Sequence, residues 1–391
     1  MRLKEKIISA NTGLDAIKRA PIVEYDTGLK CIRIQDISQG KQYDEWGFTE
    51  TSEKDRKKFL LKKNDLLIAR TGATVGVSKI ITSDINSVYN NGTIRLRFEK
   101  SVNPRFIYYI FQTDSFLQYI DNISCVATQP NLRIEGLLRF TIPDYSLNRQ
   151  NKIVSVLLPF DELIENNNKR IKLLEQMAEN LYKEWFVGFR FPGYEDVEFE
   201  EKKPRSWKVG TEEKKHLTPS IFKYDEFKNI GSFLRGKNIT AEKMVEGDIP
   251  VISAGVQPSG YHNEANVFGE SLTISASGAN AGYLQYHLQD IWAADCSYYQ
   301  DDSIIWFVYN TLKFLQPVIS NLQCGAAQPH VYPKNINKLC VLIPTEELIY
   351  KYNDFVKPYY DEIKILNQRN QLLTKQRDLL LPRLMSGRLE V

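Results

Sequence analysis

The chain has 391 residues, 42% hydrophobic and 25% charged, which suits two or three globular domains and excludes a mainly disordered, collagenous or low-complexity protein. Its 51 basic and 48 acidic residues give a net charge of +3, so the overall charge neither requires nor forbids a nucleic-acid partner. No run of 18 apolar residues occurs, so we expect no membrane-spanning helix, and the first residues lack the apolar core of a secretion signal.

The first predicted globular region, called the first head, has α/β character. Residues 66–76 indicate a strand that runs into a Gly-Ala-x-x-Gly loop. Thr93–Phe98 alternates between polar and apolar residues, which predicts a half-buried strand. Asn103 and Pro104 are typical of a helix N-cap and a first helical position, and they predict a helix over residues 106–119.

A long charged segment with coiled-coil periodicity follows the first head. Its apolar residues recur at alternating steps of four and three, which is the a/d seam of a heptad repeat. The seam consists of Ile153, Leu157, Phe160, Ile164, Asn167, Ile171, Leu174, Ala178, Leu181 and Trp185. Pro159 predicts a kink, or a restart of the helix with proline at its first position. The segment from Pro159 to about Val187 would then span roughly 43 Å.

The second half of the chain begins with a connector and repeats the order of the first half. Residues 193–216 are charged and predict an exposed connector. Residues 272–282 again place a strand before Gly-Ala-x-x-Gly. Residues 303–307 are a strand candidate and residues 309–322 predict a helix. This region is called the second head.

Both halves share further motifs, which indicates an internal duplication. Cys-x-Ala-x-Gln-Pro occurs at residues 125–130 and 324–329, and an Ile-Pro pair follows each copy. Adding 199 to each position of the first seam gives a second seam. It consists of Tyr352, Val356, Tyr359, Ile363, Leu366, Asn370, Leu373, Arg377, Leu380 and Leu384. Pro358 repeats Pro159 at the same spacing.

The duplication predicts a pseudo-twofold architecture of class α/β (α+β). Two globular heads in tandem are expected to be separated by two long helices that form an antiparallel coiled coil. The expected regions are the first head at residues 1–145, a first helical region at 146–190, a connector and second head at 191–345, and a second helical region at 346–391. Asn167 and Asn370 lie in the seams, where a buried polar group can fix register and partner. Arg377 in the second seam predicts that this end of the seam is solvated or contacts another protein.

The sequence contains no recognisable catalytic constellation. The four histidines form neither His-Glu-x-x-His nor His-x-Glu before a cysteine pair, and neither Gly-x-Ser-x-Gly nor Asn/Asp-Pro-Pro-aromatic occurs. Residues 231–237 match Gly-x-x-x-x-Gly-Lys, but Asn238 follows in place of the magnesium-binding hydroxyl, so a loop is expected. Five scattered cysteines predict no disulfide framework or metal site and suit a reducing, cytoplasmic compartment. We therefore expect no catalysis and no cofactor on this chain.

The ends of the two helices carry a family resemblance. Residues 182–193, YKEWFVGFRFPG, and residues 379–389, LLLPRLMSGRL, resemble the ends of the helical regions in the specificity subunit of type I restriction-modification enzymes. The Gln-Pro and Ile-Pro motifs are similar to that family too, as is PRSWK at residues 204–208. The resemblance covers nearly the whole chain, and its doubled order is specific.

The resemblance implies that each head is a target recognition domain that reads one half of a split, asymmetric site in double-stranded DNA. The helices would set the unread spacer and dock two modification (methyltransferase) subunits, which carry S-adenosylmethionine and methylate adenine. Restriction subunits are a further implied partner and would bring ATP and magnesium for translocation and cleavage. The candidate docking residues on the helices are Asn167, Trp185, Phe186, Asn370 and Leu384.

The DNA-contact candidates divide into phosphate and base-edge groups. Lys57, Lys58 and Lys62 belong to the best basic patch of the first head, whose alternative is an ordinary solvated surface. Lys237 is a weaker phosphate candidate in the second head.

The base-edge candidates belong to the Gly-Ala and Gln-Pro loops, where glycine lets the backbone approach a partner closely. They are Arg70, Thr71, Thr74, Gln129, Asn131, Arg133, Ser277, Asn280, Gln328 and His330. Features shared by both heads favour a scaffold role, because heads that read different sequences should differ where they read. Arg70 against Ala276 and Arg133 against Tyr332 are therefore better candidates than the shared motif residues.

Two other function classes stay open. A coiled-coil scaffold whose heads bind proteins predicts no salt-sensitive affinity for DNA. A restriction or methylation enzyme with its own catalysis predicts methyl transfer by the chain alone, and the missing catalytic motifs argue against it.

Overall fold

The chain folds into two structural units. The computed structural model describes residues 1–124, 131–202, 216–301, 303–322 and 330–391. Unit 1 combines Met1–Glu165 with Asn370–Val391, and unit 2 comprises Asn166–Arg369. Each unit therefore contains one head and a part of both long helices. The Gln-Pro motifs, with Gln129 and Gln328, lie outside the described residues, and so does the PRSWK segment.

The strands of the first head form two four-stranded sheets in its described part. They are β1 (Ile7–Thr12), β2 (Ile22–Val23), β3 (Lys30–Ile32), β4 (Phe48–Thr49), β5 (Leu66–Ala69), β6 (Ser78–Ile80), β7 (Ser87–Tyr89) and β8 (Thr93–Phe98). The main sheet, β1-β8-β5-β6, is antiparallel throughout, whereas the second sheet, β2-β4-β3-β7, contains a parallel β3–β7 pair. The helices up to the end of the first helical region are α1 (Ile34–Ser38), α2 (Glu53–Phe59), α3 (Pro104–Ile110), α4 (Asp114–Ser124), α5 (Ile134–Leu138) and α6 (Leu147–Tyr182).

Strand β8 is predicted correctly, but its expected half-burial is wrong. The strand lies between β1 and β5, and nearly all of its residues are buried. Its polar residues are covered as well, because Arg95 packs over the Tyr89 ring and Arg97 forms an ion pair with Asp65 at 2.6 Å. The polar–apolar alternation therefore marks two covered faces rather than one face in water.

The predicted helix over residues 106–119 is two helices, α3 and α4. The predicted start is confirmed, since Asn103 Oδ1 accepts a hydrogen bond from the Arg105 backbone N–H at 2.9 Å and Pro104 is the first helical residue. The break follows from Thr113, whose hydroxyl donates to the Ile110 carbonyl oxygen at 2.7 Å. Its oxygen also accepts from an N–H in the first turn of α4, as an N-cap residue does.

The second head has the remaining strands and is followed by the second long helix. The strands are β9 (Phe199–Lys202), β10 (His216–Pro219), β11 (Lys223–Glu226), β12 (Leu234–Arg235), β13 (Ile249–Ile252), β14 (Gly260–His262), β15 (Ser271–Ser275), β16 (Leu284–His287), β17 (Trp292–Ala293), β18 (Cys296–Tyr299) and β19 (Cys340–Ile343). The helices are α7 (Ile305–Phe314), α8 (Gln316–Ser320), α9 (Pro333–Asn337) and α10 (Glu346–Met385). The main sheet, β12-β18-β15-β16, is antiparallel.

One local prediction in the second head is wrong. Residues 303–307 are not a strand, because α7 begins at Ile305 and is buried on all sides through Leu312. A short apolar run does not distinguish a buried strand from a buried helix. The described connector residues 193–202 are mainly exposed, as predicted, and the last of them form β9, which pairs with β10 as an antiparallel strand.

The duplication is visible in the main sheets of the two heads. Both have the same order, an edge strand followed by three antiparallel strands. A glycine follows the edge strand in each head, Gly13 after β1 and Gly236 after β12. A Cβ atom on Gly13 would overlap the Tyr89 carbonyl oxygen, and one on Gly236 would overlap the Ala294 carbonyl oxygen. Close backbone approach therefore requires glycine at the same place in both copies.

The long helices complete the core of each unit with their seam residues. In unit 1 the buried core includes Ile68 and Leu96 from the sheet, Phe106 from α3, Ile153 from α6 and Leu384 from α10. In unit 2 it includes Ile274 from the sheet, Phe307 from α7, Ala178 from α6 and Tyr352 from α10. Every predicted seam position is buried or partly buried, which confirms the heptad pattern.

The two helices run antiparallel in each unit, as the repeat predicted. In unit 1 the Tyr145 hydroxyl donates to the Met385 carbonyl oxygen at 3.0 Å, and Arg377 pairs with Asp161 at 2.8 Å. Arg377 thus pairs with a carboxylate of its own unit, while its side chain stays partly exposed, and the expectation that this end of the seam is solvated or meets another protein stays a prediction. In unit 2 the Tyr352 hydroxyl donates to the Ala178 carbonyl oxygen at 2.8 Å.

The prolines do not restart the helices, so that alternative is wrong, whereas a kink at each proline stays a prediction. Pro159 lies inside the 36 residues of α6, and Pro358 inside the 40 residues of α10. An internal proline costs about 3 kcal/mol. Leu157 near the first proline, and Val356 and Tyr360 near the second, are fully buried. Burying a large apolar side chain stabilises the fold by about 1.5–3 kcal/mol. Burial of the seam offsets the lost hydrogen bond, and the helix continues.

Candidate nucleic-acid interface

The Gly-Ala loop of the first head lies beside the segment that follows its Gln-Pro motif. Strand β5 ends at Ala69, and the following loop needs left-handed backbone at Gly72 and Gly76, with φ of 81° and 94°. Thr71 forms an antiparallel bridge with Asn131. We call residues 70–76 and 131–133 the first loop pair, since they are far apart in sequence and adjacent in the fold.

Arg70 is held at the centre of the first loop pair. Its backbone N–H donates to the Gly92 carbonyl oxygen at 2.9 Å, and its carbonyl oxygen accepts from Leu132 at 2.7 Å. Its guanidinium Nη2 donates to Asn131 Oδ1 at 3.1 Å. Its Nε is buried and has no hydrogen-bond partner among the described residues. The structure therefore brings two base-edge candidates, Arg70 and Asn131, into direct contact.

The other candidates of the first head surround this contact. Thr71 and Thr74 are partly buried in the loop, whereas Arg133 is exposed. Arg133 precedes α5 in extended conformation, as a residue at the N-cap position does. The first loop pair thus presents two arginines and several hydrogen-bonding groups toward solvent.

The second head repeats this arrangement. Ser277 forms an antiparallel bridge with His330, and Gly278 and Gly282 take left-handed backbone with φ of 74° and 87°. Residues 276–282 and 330–332 are called the second loop pair. Asn280 is exposed at its tip. The structure therefore joins Ser277 with His330 as it joins Thr71 with Asn131.

The side chains of the second loop pair differ in charge and shape from those of the first. The Ser277 hydroxyl donates to the Asp295 carboxylate, which also forms an ion pair with Arg235. The His330 ring stacks on Tyr332, with centroids 5.7 Å apart and planes 15° from parallel. The two heads share the backbone of the site and differ in the groups it displays.

The backbone contacts identify equivalent positions in the two loop pairs. The Ala276 N–H donates to the Asp295 carbonyl oxygen, as the Arg70 N–H donates to that of Gly92. The Val331 N–H donates to the Ala276 carbonyl oxygen at 3.0 Å, as the Leu132 N–H donates to the Arg70 carbonyl oxygen in the first head. The first head therefore has a guanidinium where the second has a methyl group, and the second has a carboxylate where the first has a glycine.

The lysine candidates are exposed and lie on other elements. Lys57 and Lys58 lie on α2 and Lys62 follows it; we call these three the α2 lysine patch. Lys57 forms a 3.5 Å ion pair with Glu53, which is too exposed to hold the lysine strongly. In the second head the Lys237 ammonium lies 5.9 Å from the centroid of the Trp292 ring.

The docking candidates on the helices lie mainly inside their own units. Asn167, Trp185, Phe186 and Leu384 are buried, and Asn370 is partly buried. Trp185 and Phe186 belong to the core of unit 2 and Leu384 to the core of unit 1, so these side chains do not form an exposed surface.

Other apolar residues of the helices are exposed, which the heptad analysis missed because they lie off the seam. Leu173 on α6 is 59% exposed, and Leu372 on α10 is 60% exposed. The two leucines are separated by 199 residues, the period of the repeat. A search for apolar off-seam residues at this period would have found them. In unit 1, a groove of about 670 Å³ also lies between the last turns of α10 and residues 110–115 and 140–143.

The described residues give no indication of a reactive or metal-binding centre. Burial raises the pKa of the Cys31 and Cys296 thiols to about 12, so both stay protonated at neutral pH. Burial lowers the pKa of His287 to about 4. Within the described ranges, no group of three histidine, cysteine, aspartate or glutamate residues could hold a metal ion, and no helix is long and apolar enough to cross a membrane.

Comparisons with known proteins agree with the internal duplication. The model of the type I restriction modification DNA specificity domain matches residues 24–176 and again residues 220–375. The MjaIX specificity subunit of Methanocaldococcus jannaschii, a type I restriction enzyme subunit, is 27% identical and covers 91% of this chain and 83% of its own length. The HindI specificity subunit of Haemophilus influenzae is 22% identical and covers 84% of this chain and 87% of its own length.

A solved structure shares the fold. The crystal structure of a type I restriction-modification S subunit from M. genitalium superimposes with a TM-score of 0.53 at 20% identity, covering 98% of this chain and 95% of the other. Each of the two matched segments of this chain contains one loop pair and a part of one long helix. The resemblance found in the sequence is confirmed: the chain belongs to the family of type I restriction-modification DNA specificity proteins, and it carries the family's domain twice.

Proposed function

We propose that this chain is the non-catalytic DNA-recognition subunit of a type I restriction-modification complex, in which each head reads one half of a bipartite duplex site. The observation that carries the proposal is the pair of equivalent loops with different side chains. A protein that reads two different half-sites needs one scaffold in two copies and divergent groups at the tips. The proposed regions are the heads at residues 1–145 and 191–345 and the helical regions at 146–190 and 346–391.

The groups displayed by the loop pairs have the chemistry of base-edge readers. Arginine donates to guanine, asparagine pairs with adenine, and serine or histidine can bond several bases. We assign this role to Arg70, Asn131 and Arg133 in the first head and to Ser277, Asn280 and His330 in the second. The flanking residues Thr71, Thr74, Gln129 and Gln328 stay predictions.

The exposed lysines provide the sequence-independent part of the affinity. The α2 lysine patch and Lys237 would neutralise phosphates and release counterions. These four lysines are exposed and can approach a duplex, which supports this assignment.

The long helices would set the spacer and dock two modification subunits. Leu173 and Leu372 support this because one exposed apolar position occurs twice, at the period of the repeat and with nearly equal exposure. Two equal surfaces suit two copies of one partner. S-adenosylmethionine would be held by those partners, and ATP and magnesium by restriction subunits.

The proposal is tested by expressing the chain with the modification subunit and mapping methylated adenines in the host DNA. We expect one asymmetric, bipartite sequence with a fixed spacer. A spacer changed by one base pair should lose methylation, because the half-sites rotate by about a tenth of a turn. Methylation at several spacer lengths, or at sites without two halves, would contradict the proposal.

Two controls separate the alternatives. A protein-binding scaffold predicts no salt-sensitive affinity for DNA, whereas the proposed reader predicts a steep loss of affinity as salt rises. Methyl transfer by the chain alone with S-adenosylmethionine would establish catalysis of its own.

A further inference from the structure

We propose that Arg70 reads a guanine in the half-site of the first head and that Asn131 positions its guanidinium; the inference rests on the proposed function of the loop pairs. The second head has Ala276 at the equivalent position, so this arginine reader belongs to one half-site alone.

The backbone of Arg70 is fixed on both sides. Its N–H is bonded to Gly92 at 2.9 Å and its carbonyl oxygen to Leu132 at 2.7 Å. The first bond ties the residue to the start of β8 and the second to the segment after the Gln-Pro motif. The side chain therefore leaves a rigid site, which limits the conformational entropy that is lost when the guanidinium binds a base.

The hydrogen-bond inventory of Arg70 leaves donors for a ligand. One N–H of Nη2 is used by Asn131 Oδ1 at 3.1 Å, and the buried Nε has no partner in the described part of the chain. The buried Nε is closed to a ligand, so the donors that a base could meet are the remaining N–H groups of the two Nη atoms.

The geometry of a guanidinium selects guanine among the bases. Arginine offers only donors, and its two Nη groups present parallel N–H bonds. Guanine is the base whose major-groove edge offers two acceptors, O6 and N7. Adenine and cytosine each present an amino donor there, which an arginine cannot satisfy, and thymine presents one acceptor and a methyl group.

The second head shows what the same scaffold becomes without this reader. Ala276 occupies the position of Arg70, and Asp295 occupies that of Gly92. Arg235 lies beside this site and is engaged in an ion pair with Asp295. The local chemistry changes from a donor array to a carboxylate–hydroxyl pair that includes Ser277. Because Ala276 is native at the equivalent position, alanine at position 70 is compatible with the backbone of the loop.

The test uses the complete complex with its modification subunits and the bipartite duplex found by methylation mapping. Each guanine of the first half-site is replaced in turn by 7-deazaguanine, which lacks the N7 acceptor. For the unmodified protein we expect one such position to lose binding by roughly 10- to 150-fold, the range for one hydrogen bond from a charged group, since O6 keeps the other bond. In Arg70→Ala that position should become insensitive to the replacement, while guanines of the second half-site keep their effect.

Three further variants make the result specific. Arg139→Ala removes an exposed arginine of the same head and should behave like the unmodified protein. Asn131→Ala should reduce the 7-deazaguanine effect at the same position, and Asn131→Asp, which keeps the acceptor for Arg70, should restore most of it. A merely structural role of Asn131 would lower all affinities together and leave the ratio unchanged.

The outcomes separate this inference from the proposed function. If the unmodified complex binds no bipartite duplex above competitor, the proposed function fails. If it binds one, but Arg70→Ala keeps the full 7-deazaguanine effect at every guanine, only the assignment of Arg70 is overturned. Thermal unfolding of each variant confirms that the first head is folded when these measurements are made.

Discussion

The anchor between the first head and the long helices should govern the stability of unit 1. Asp161 on α6 accepts a hydrogen bond from the Tyr109 hydroxyl at 2.7 Å and an ion-paired bond from Arg377 at 2.8 Å. The side chains of both ion-pair partners are only about 20% exposed. Replacing Asp161 with alanine leaves a buried hydroxyl and a largely buried guanidinium each short of one acceptor.

The expected cost of Asp161→Ala is about 3 kcal/mol. A hydrogen bond to a charged group contributes about 1.5–3 kcal/mol, and the substitution removes two. Arg377 keeps its second partner, Asp378, at 2.9 Å, so we take the lower end of the sum. For a unit of this size the loss corresponds to a melting temperature about 6–12 °C lower.

Hydrogen–deuterium exchange measures this effect in one unit at a time. In Asp161→Ala, peptides from α3 and the first half of α6 should lose protection at lower denaturant, whereas peptides of unit 2 should not. Asp378→Ala is the matched control, because it removes the exposed partner of the same arginine and should cost less than about 1 kcal/mol. Equal effects of the two variants, or equal loss of protection in both units, would refute this reasoning.

Three further predictions concern DNA, partners and pH. Alanine at all three positions of the α2 lysine patch should make the slope of log binding constant against log salt concentration shallower by about 0.9 for each phosphate that is no longer neutralised. The slope is measured by salt titration, with Lys351→Ala as the control, and an unchanged slope would show that the patch lies outside the interface. Leu173→Asp and Leu372→Asp should each remove one of two modification subunits, measured as complex mass; full occupancy in both variants would reject these positions as docking surfaces. Burial lowers the pKa of His287 from 6.5 to about 4 in the folded protein. Between these two pH values the unfolded chain binds a proton that the folded protein does not, so stability should fall as the pH drops from 6.5 to 4, by at most about 3 kcal/mol. Denaturation of His287→Gln over this pH range should show less of this loss.

The periodic features of the chain could be predicted from its sequence because they depend on local spacing. The seam from Ile153 to Trp185 predicted which face of α6 is buried, and its repetition predicted the antiparallel partner. The Gly-Ala loops were recognised since left-handed backbone at Gly72 and Gly278 depends on the residue itself.

The features that depend on tertiary cover could not be predicted. The residues around Arg95 do not indicate that this arginine of β8 is buried, and those around Pro159 do not indicate that α6 continues through the proline. The contact between Arg70 and Asn131 joins residues 61 positions apart, so only the folded chain brings them together. Both residues were predicted separately as base-edge candidates, and the folded structure places them in contact.

The way the long helices are divided between the units has a consequence for the ancestry of the protein. The core of unit 1 is completed by Leu381 and Leu384, which belong to the second repeat, while Ala178 and Tyr182 of the first repeat complete the core of unit 2. A polypeptide with a single repeat would therefore leave an apolar seam in water. Two such polypeptides could cover each other by reciprocal exchange of their helix ends, so a self-associating half-length precursor would be a stable starting point for gene fusion. Fusion would have freed each copy of the recognition loops to diverge without loss of the shared helical interface.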